Sequence, residues 1–108
     1  MSNLAVIESE DLFNRVTGSN FHEVLENAET DDLENKLAVY INELIDRDFS
    51  RLVNMLYRID VSEEKLKKAL QNEDKTKSSG KTIAKLILER QLQKLEYRKQ
   101  FSGKKIDL

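Results

Sequence analysis

The pentapeptide Ser78-Ser79-Gly80-Lys81-Thr82 is where this chain comes nearest to a chemical motif. It has the ending of a phosphate-binding loop. In such loops glycines let backbone N–H groups wrap phosphate, a Lys reaches further oxygens and a hydroxyl holds magnesium. The pattern G-x-x-x-x-G-K-[ST] needs its first glycine at position 75, where Lys75 stands. No strand pattern precedes it, so the segment reads as a polar loop entering a helix N-terminus, with at most the weak anion affinity of such an end. His22 is the single histidine, with Glu23 and Glu26 beside it. One imidazole and one carboxylate a turn apart do not make a metal site, and no nucleophile or orienting group accompanies His22 as a general base. Glu43, Asp46 and Asp48 lie close together but lack the Glu-x-x-His spacing of di-metal bundles. The absence of cysteine excludes thiolate metal sites, disulfides and a Cys nucleophile. The sequence therefore assigns no catalytic residue, no metal ligand and no cofactor, and predicts that the protein is not an enzyme.

Charge gives a better candidate. The net charge of −2 averages an acidic first half, −9 over residues 1–50, with +2 over 51–80 and +5 over 81–108. The basic end comprises Lys81, Lys85, Arg90, Lys94, Arg98, Lys99, Lys104 and Lys105, interrupted by Glu89 and Glu96. Lys94 and Arg98 are one helical turn apart, and Tyr97 and Phe101 interleave with them. Cations neutralise acidic partners or phosphates, and aromatic rings add stacking area. A second candidate surface lies upstream. Val39, Tyr40, Met55 and Tyr57 fall outside the main apolar stripe of their segment. A helix apolar on more than one side is buried on more than one side, against other helices or a second subunit. Lys94, Tyr97, Arg98, Phe101, Tyr40 and Tyr57 are the candidate interaction residues.

These residues must be positioned by helices. Pro is absent, Gly occurs three times, and good helix formers dominate. Ser9-Glu10-Asp11 reads as a helix start, Leu12, Phe13 and Val16 as its apolar face, and Gly18 as its stop. Leu4 to Ile7 reads as an extended arm. Asn20, with Glu23 in capping-box position, opens a second short helix carrying Val24, Leu25 and Ala28. From Thr30-Asp31-Asp32, the residues Leu33, Leu37, Ile41, Leu44, Ile45, Leu52, Leu56 and Ile59 recur at helical spacing. They predict one long helix over about 31–59, roughly 43 Å long, kinked near Asp48. The alternative is two helices, with Asp46 or Asp48 capping the second. In a continuous helix Asp48 would fall within the apolar stripe and need Arg51 or Arg58 as a partner. Ser62, followed by Glu63 and Glu64, caps a helix to about Gln71, with Val61 stapled onto Leu66. Residues 72–80 read as a mobile loop. A last helix over about 81–100 buries Ile83, Ala84, Ile87, Leu88, Leu92 and Leu95, with Gln91 inside the stripe. Phe101-Ser102-Gly103 should end it.

The predicted fold is all-α: a small antiparallel helical bundle with one long central helix and a long C-terminal helix. It forms a single domain over 1–108, with residues 1–8 and 101–108 as a flexible arm and tail. The short apolar run at the start does not read as a signal peptide, and no apolar stretch reaches the roughly 20 residues that span a bilayer. These features predict a cytoplasmic protein that binds no membrane and no small-molecule ligand. Ile41-Asn42-Glu43-Leu44-Ile45, Leu56-Tyr57-Arg58-Ile59-Asp60-Val61-Ser62-Glu63-Glu64-Lys65-Leu66 and Ile87-Leu88-Glu89-Arg90-Gln91-Leu92 resemble small uncharacterised helical bacterial proteins. The resemblance covers roughly residues 30–100 and implies a helical fold without an activity. The functional expectation is a protein-interaction or regulatory module with a protein partner or a homodimer. The alternative is a nucleic-acid-associated protein that uses its basic C-terminal helix.

Overall fold

Among the described residues of the computed structural model six helices form: α1 (Leu4–Val16), α2 (Phe21–Asn27), α3 (Thr30–Arg47), α4 (Phe49–Arg58), α5 (Glu63–Leu70) and α6 (Ser79–Ile106). The structure describes the backbone of residues 4–19, 21–27, 29–71 and 79–106, and the side chains of these except 27, 30, 31 and 100–106. The expected Asn20 cap, Ala28 and residues 72–78 of the expected 72–80 loop lie outside the described residues, and residues 79–80 of that loop belong to α6 instead. Among the described residues all regular structure is helical, and no helix is long and apolar enough to cross a membrane.

The first helix corrects one expectation. It begins at Leu4, so the predicted extended arm is helical over Leu4 to Ile7, and Ser9 stands inside the helix rather than capping it. Ser9 is 4% exposed. Its hydroxyl donates to the Lys36 carbonyl at 2.6 Å and accepts from the Tyr40 N–H at 2.9 Å. Those two groups are natural i→i−4 partners within α3. A small hydroxyl at this point lets α1 approach the α3 backbone closely while bonding both of those backbone groups. A helix-start pattern and a buried interhelical serine look alike in one dimension, because both place a hydroxyl before acidic residues.

The long central helix is divided at Asp48, as the alternative reading allowed. Asp48 has φ −154° and ψ 69°, outside the helical region. Its N–H closes α3 onto the Leu44 carbonyl at 2.8 Å, and its carboxylate accepts from the Arg51 N–H at 3.2 Å to open α4. One residue thus ends one helix and caps the next. Asp48 is exposed, so the buried aspartate required by a continuous helix does not arise. The end of α4 is equally specific. Val61 N–H bonds to the Leu56 carbonyl at 3.0 Å and Asp60 N–H to the Tyr57 carbonyl at 3.2 Å. This is a Schellman termination, with Asp60 left-handed at φ 60° where glycine is usual. Ser62 then caps α5 through the Lys65 N–H.

The core lies between α3 and its neighbours α1, α4 and α6. Leu37, Ile41, Leu52, Leu56, Ile83, Ile87 and Leu88 are almost completely buried, joined by Phe13 and Val16 of α1. Each such side chain contributes about 1.5–3 kcal/mol relative to exposure. The N-terminal end of α6 is seated by Gly80, whose N–H donates to Asn42 Oδ1 at 2.9 Å. A Cβ at Gly80 would lie 2.8 Å from the Ala38 carbonyl oxygen and closer still to Asn42. Absence of a side chain at position 80 is therefore what permits α6 to lie against α3. At its other end α6 continues to Ile106, past the predicted stop at Phe101-Ser102-Gly103. One internal glycine costs a helix only about 1 kcal/mol and no proline follows to end it.

Candidate interaction surface

At 3.6 residues per turn, Arg90, Lys94 and Arg98 fall along one side of α6. With Gln93 and Tyr97 they line a concavity of about 420 Å³. Glu89 and Glu96 interrupt the basic run in sequence but do not line this concavity. Glu89 lies about 100° round the helix from Arg90, and Glu96 about 160° from Lys94. Glu89 lines a smaller neighbouring recess with Asp60, Ser62 and Lys65, which shares Arg90 and Gln93 with the larger concavity and where charges of both signs meet. No carboxylate lines the larger concavity among the described residues.

Contacts to α1 and α2 hold this half of α6 in place. Gln91, 2% exposed, donates from Nε2 to the Val16 carbonyl at 2.7 Å and so satisfies the C-terminal end of α1. The Arg98 guanidinium sits 5.0 Å above the Phe21 ring of α2, a cation–π arrangement. Lys99 approaches Glu26 at 4.0 Å. Within the concavity Arg90 Nη1 donates to Gln93 Oε1 at 3.4 Å, whereas Arg90 Nε is shielded from water and has no hydrogen-bond partner among the described residues.

The structure brings together Lys94, Tyr97 and Arg98 of the predicted residues, and adds Arg90 and Gln93 to them. Tyr97 is 61% exposed and Lys94 partly buried. The backbone of Phe101 belongs to α6, but its side chain lies outside the described residues. Tyr40 is elsewhere. It is 4% exposed, packs edge-on against Phe13 with ring centroids 5.5 Å apart, and points its hydroxyl at Met55 Sδ 4.0 Å away. The second apolar side of α3 is therefore covered here by α1. Burial pushes the Tyr40 phenol above its ordinary range, with Arg51 opposing and Glu10 and Asp48 reinforcing the shift. Tyr57 is 54% exposed and donates to Glu63 Oε2 at 3.1 Å, which raises its phenol as well. It lines a separate small recess between α4 and α5. The i, i+4, i+8 spacing of Arg90, Lys94 and Arg98 was the signal that identifies Arg90. Gln93 had none, since nothing in its type distinguishes it from a solvated glutamine.

The residues first considered for chemistry are dispersed. The Gly80 N–H, which a phosphate-binding loop would turn to its ligand, is occupied by Asn42, and no strand precedes it among the described residues. His22 rests edge-on against Phe21, with ring centroids 6.3 Å apart. Among the described residues no group of three His, Asp or Glu side chains is placed to hold a metal ion. Of the ion pairs among described residues, Asp11–Arg15, Asp32–Lys36, Glu43–Arg47 and Glu63–Lys67 are all i, i+4 within one helix. Lys99–Glu26 joins the acidic half to the basic end. No protein-family model, curated protein or solved structure matches the chain.

Proposed function

We propose that this protein is a small non-catalytic helical binding module, and that the α6 concavity receives an acidic segment of a protein partner. The observation that carries the reading is the line of Arg90, Lys94 and Arg98 around one depression, with no carboxylate lining it among the described residues. Tyr97 supplies exposed amphipathic area of the kind enriched at interfaces. Exposed ion pairs contribute only about 0.2–1 kcal/mol each, so three give a weak, salt-sensitive complex in which Tyr97 carries much of the affinity. A peptide suits this surface better than a nucleic acid. The whole chain is acidic, and its field repels a long polyanion that must extend beyond three cations.

The test compares the full chain with its Lys94→Glu variant in binding two fluorescent probes: a Glu-rich amphipathic helical peptide and a single-stranded oligonucleotide. Peptide binding that weakens with salt and is lost on Lys94→Glu is the expected result. Failure to bind the peptide, at low salt and high concentration, sinks the reading. Preference for the oligonucleotide would replace it with the nucleic-acid one. Contact with about four phosphates would then give a log–log salt slope near −2.8 on a single strand, against −3.6 on a duplex.

A further inference from the structure

A second surface lies apart from the α6 concavity. α1 and α3 leave between them a groove of about 330 Å³. Ala5, Leu12 and Val39 give it apolar walls, and Glu8, Asp11, Arg15 and Lys36 give it a charged rim. On the same helix Leu4 is 68% exposed and Ile7 51%, and Val39 across the groove is 38% exposed. Large aliphatic side chains left in water on the helix that walls an apolar groove make this side of the molecule a candidate interaction face.

The rim selects the occupant. It holds two acids and two bases, so a partner of either charge would meet like charge from half of it. A rim with both signs is complementary to itself across a twofold axis where an acid of one copy faces a base of the other. Asp11 is paired with Arg15 at 3.2 Å and Lys36 with Asp32 at 3.0 Å. Glu8 is the rim charge without an ion-pair partner among the described residues. We infer that the groove receives α1 of a second copy of this chain, in an isologous dimer. In that dimer Leu4 and Ile7 of each subunit seat between Leu12 and Val39 of the other, and each Glu8 meets the Lys36 of the partner subunit. Helix α1 has 13 residues and spans about 20 Å, so the patch is smaller than a standard interface and the dimer is a weak, reversible one. The α6 concavities stay open in this dimer, two per assembly, which gives a bivalent binder its avidity.

Sedimentation equilibrium of the full chain from micromolar to millimolar concentration tests the inference. The expected result is a reversible monomer–dimer equilibrium. Leu4→Glu with Ile7→Glu should weaken it at least about tenfold while the circular dichroism spectrum stays the same, because both side chains are exposed. Glu8→Lys and Lys36→Glu should each self-associate more weakly than the parent, and an equimolar mixture of the two should recover the association. Lys94→Glu should leave it unchanged, so this result does not depend on the α6 reading. A chain monomeric throughout the range, a dimer indifferent to the Leu4 and Ile7 changes, or a mixture no tighter than its components would each overturn the inference.

Discussion

Replacing Gly80 by Ala separates this fold from what helix propensity alone dictates. Gly80 lies in the first turn of α6, and in an exposed helix Gly→Ala stabilises by about 1 kcal/mol. Here the added methyl would lie 2.8 Å from the Ala38 carbonyl oxygen, a backbone atom that cannot swing aside, and closer still to Asn42. Overpacking of this kind costs about 1–3 kcal/mol. Displacing Asn42 also removes its bond from the Gly80 N–H, a further loss of about 0.5–1.5 kcal/mol. After subtracting the propensity gain, the net destabilisation is about 1–3 kcal/mol. For a domain near this size each kcal/mol lowers the thermal midpoint by about 4–8 °C. Urea unfolding followed by far-ultraviolet circular dichroism measures the change. Asn42→Ala alone should cost about 1 kcal/mol. In the double variant the atoms nearest the new methyl are gone and only the Ala38 oxygen remains. The two changes should therefore be less than additive by about 1 kcal/mol or more. A Gly80→Ala protein more stable than the parent, or strictly additive costs in the double variant, would refute the close packing of α6 on α3.

Two further expectations concern α1 and the core. Ser9→Ala should cost no more than about 1 kcal/mol, because the Lys36 carbonyl and Tyr40 N–H can bond each other once the hydroxyl is gone. Ser9→Val should cost about 1–3 kcal/mol by forcing α1 off α3, and the difference in urea midpoint between the two variants checks it. The Tyr40 phenol is raised in the folded chain, so the folded state favours the protonated form. That contribution is complete below the unfolded value near pH 10 and is lost as pH rises through the folded value. Tyr40→Phe should therefore lose less stability than the parent above about pH 10. Equal alkaline losses in the two proteins would show that Tyr40 is not buried as described.

What was legible in the sequence follows a physical division. Periodicity and capping are local, and they sufficed for α5 behind Ser62 and for Ile83, Ala84, Ile87 and Leu88 of the expected stripe, whereas Leu92 is 37% exposed and Leu95 only partly buried. They also reached Asp48 as the place where a helix could break, because an acid interrupting an apolar stripe must leave the core or find a partner. They could not decide between kink and break, since that depends on how α4 packs. Ser9 and Gly80 mark the limit more sharply. Both types signal helix ends and loops on local grounds, yet both lie inside helices where two backbones approach closely. Small residues are ambiguous in this way because the same lack of bulk serves a turn and a tight contact. Tyr40 shows the converse. Its position off the main stripe marked a second apolar side of α3, but only packing reveals that α1 covers it. The stripe of Arg90, Lys94 and Arg98 was readable as helical spacing, whereas the absence of Glu89 and Glu96 from the lining of its concavity required placing the acids around the helix as well as along it. A charge pattern on a helix thus has to be read in angle before it is read in sequence, and in angle the basic end of this chain becomes a coherent surface.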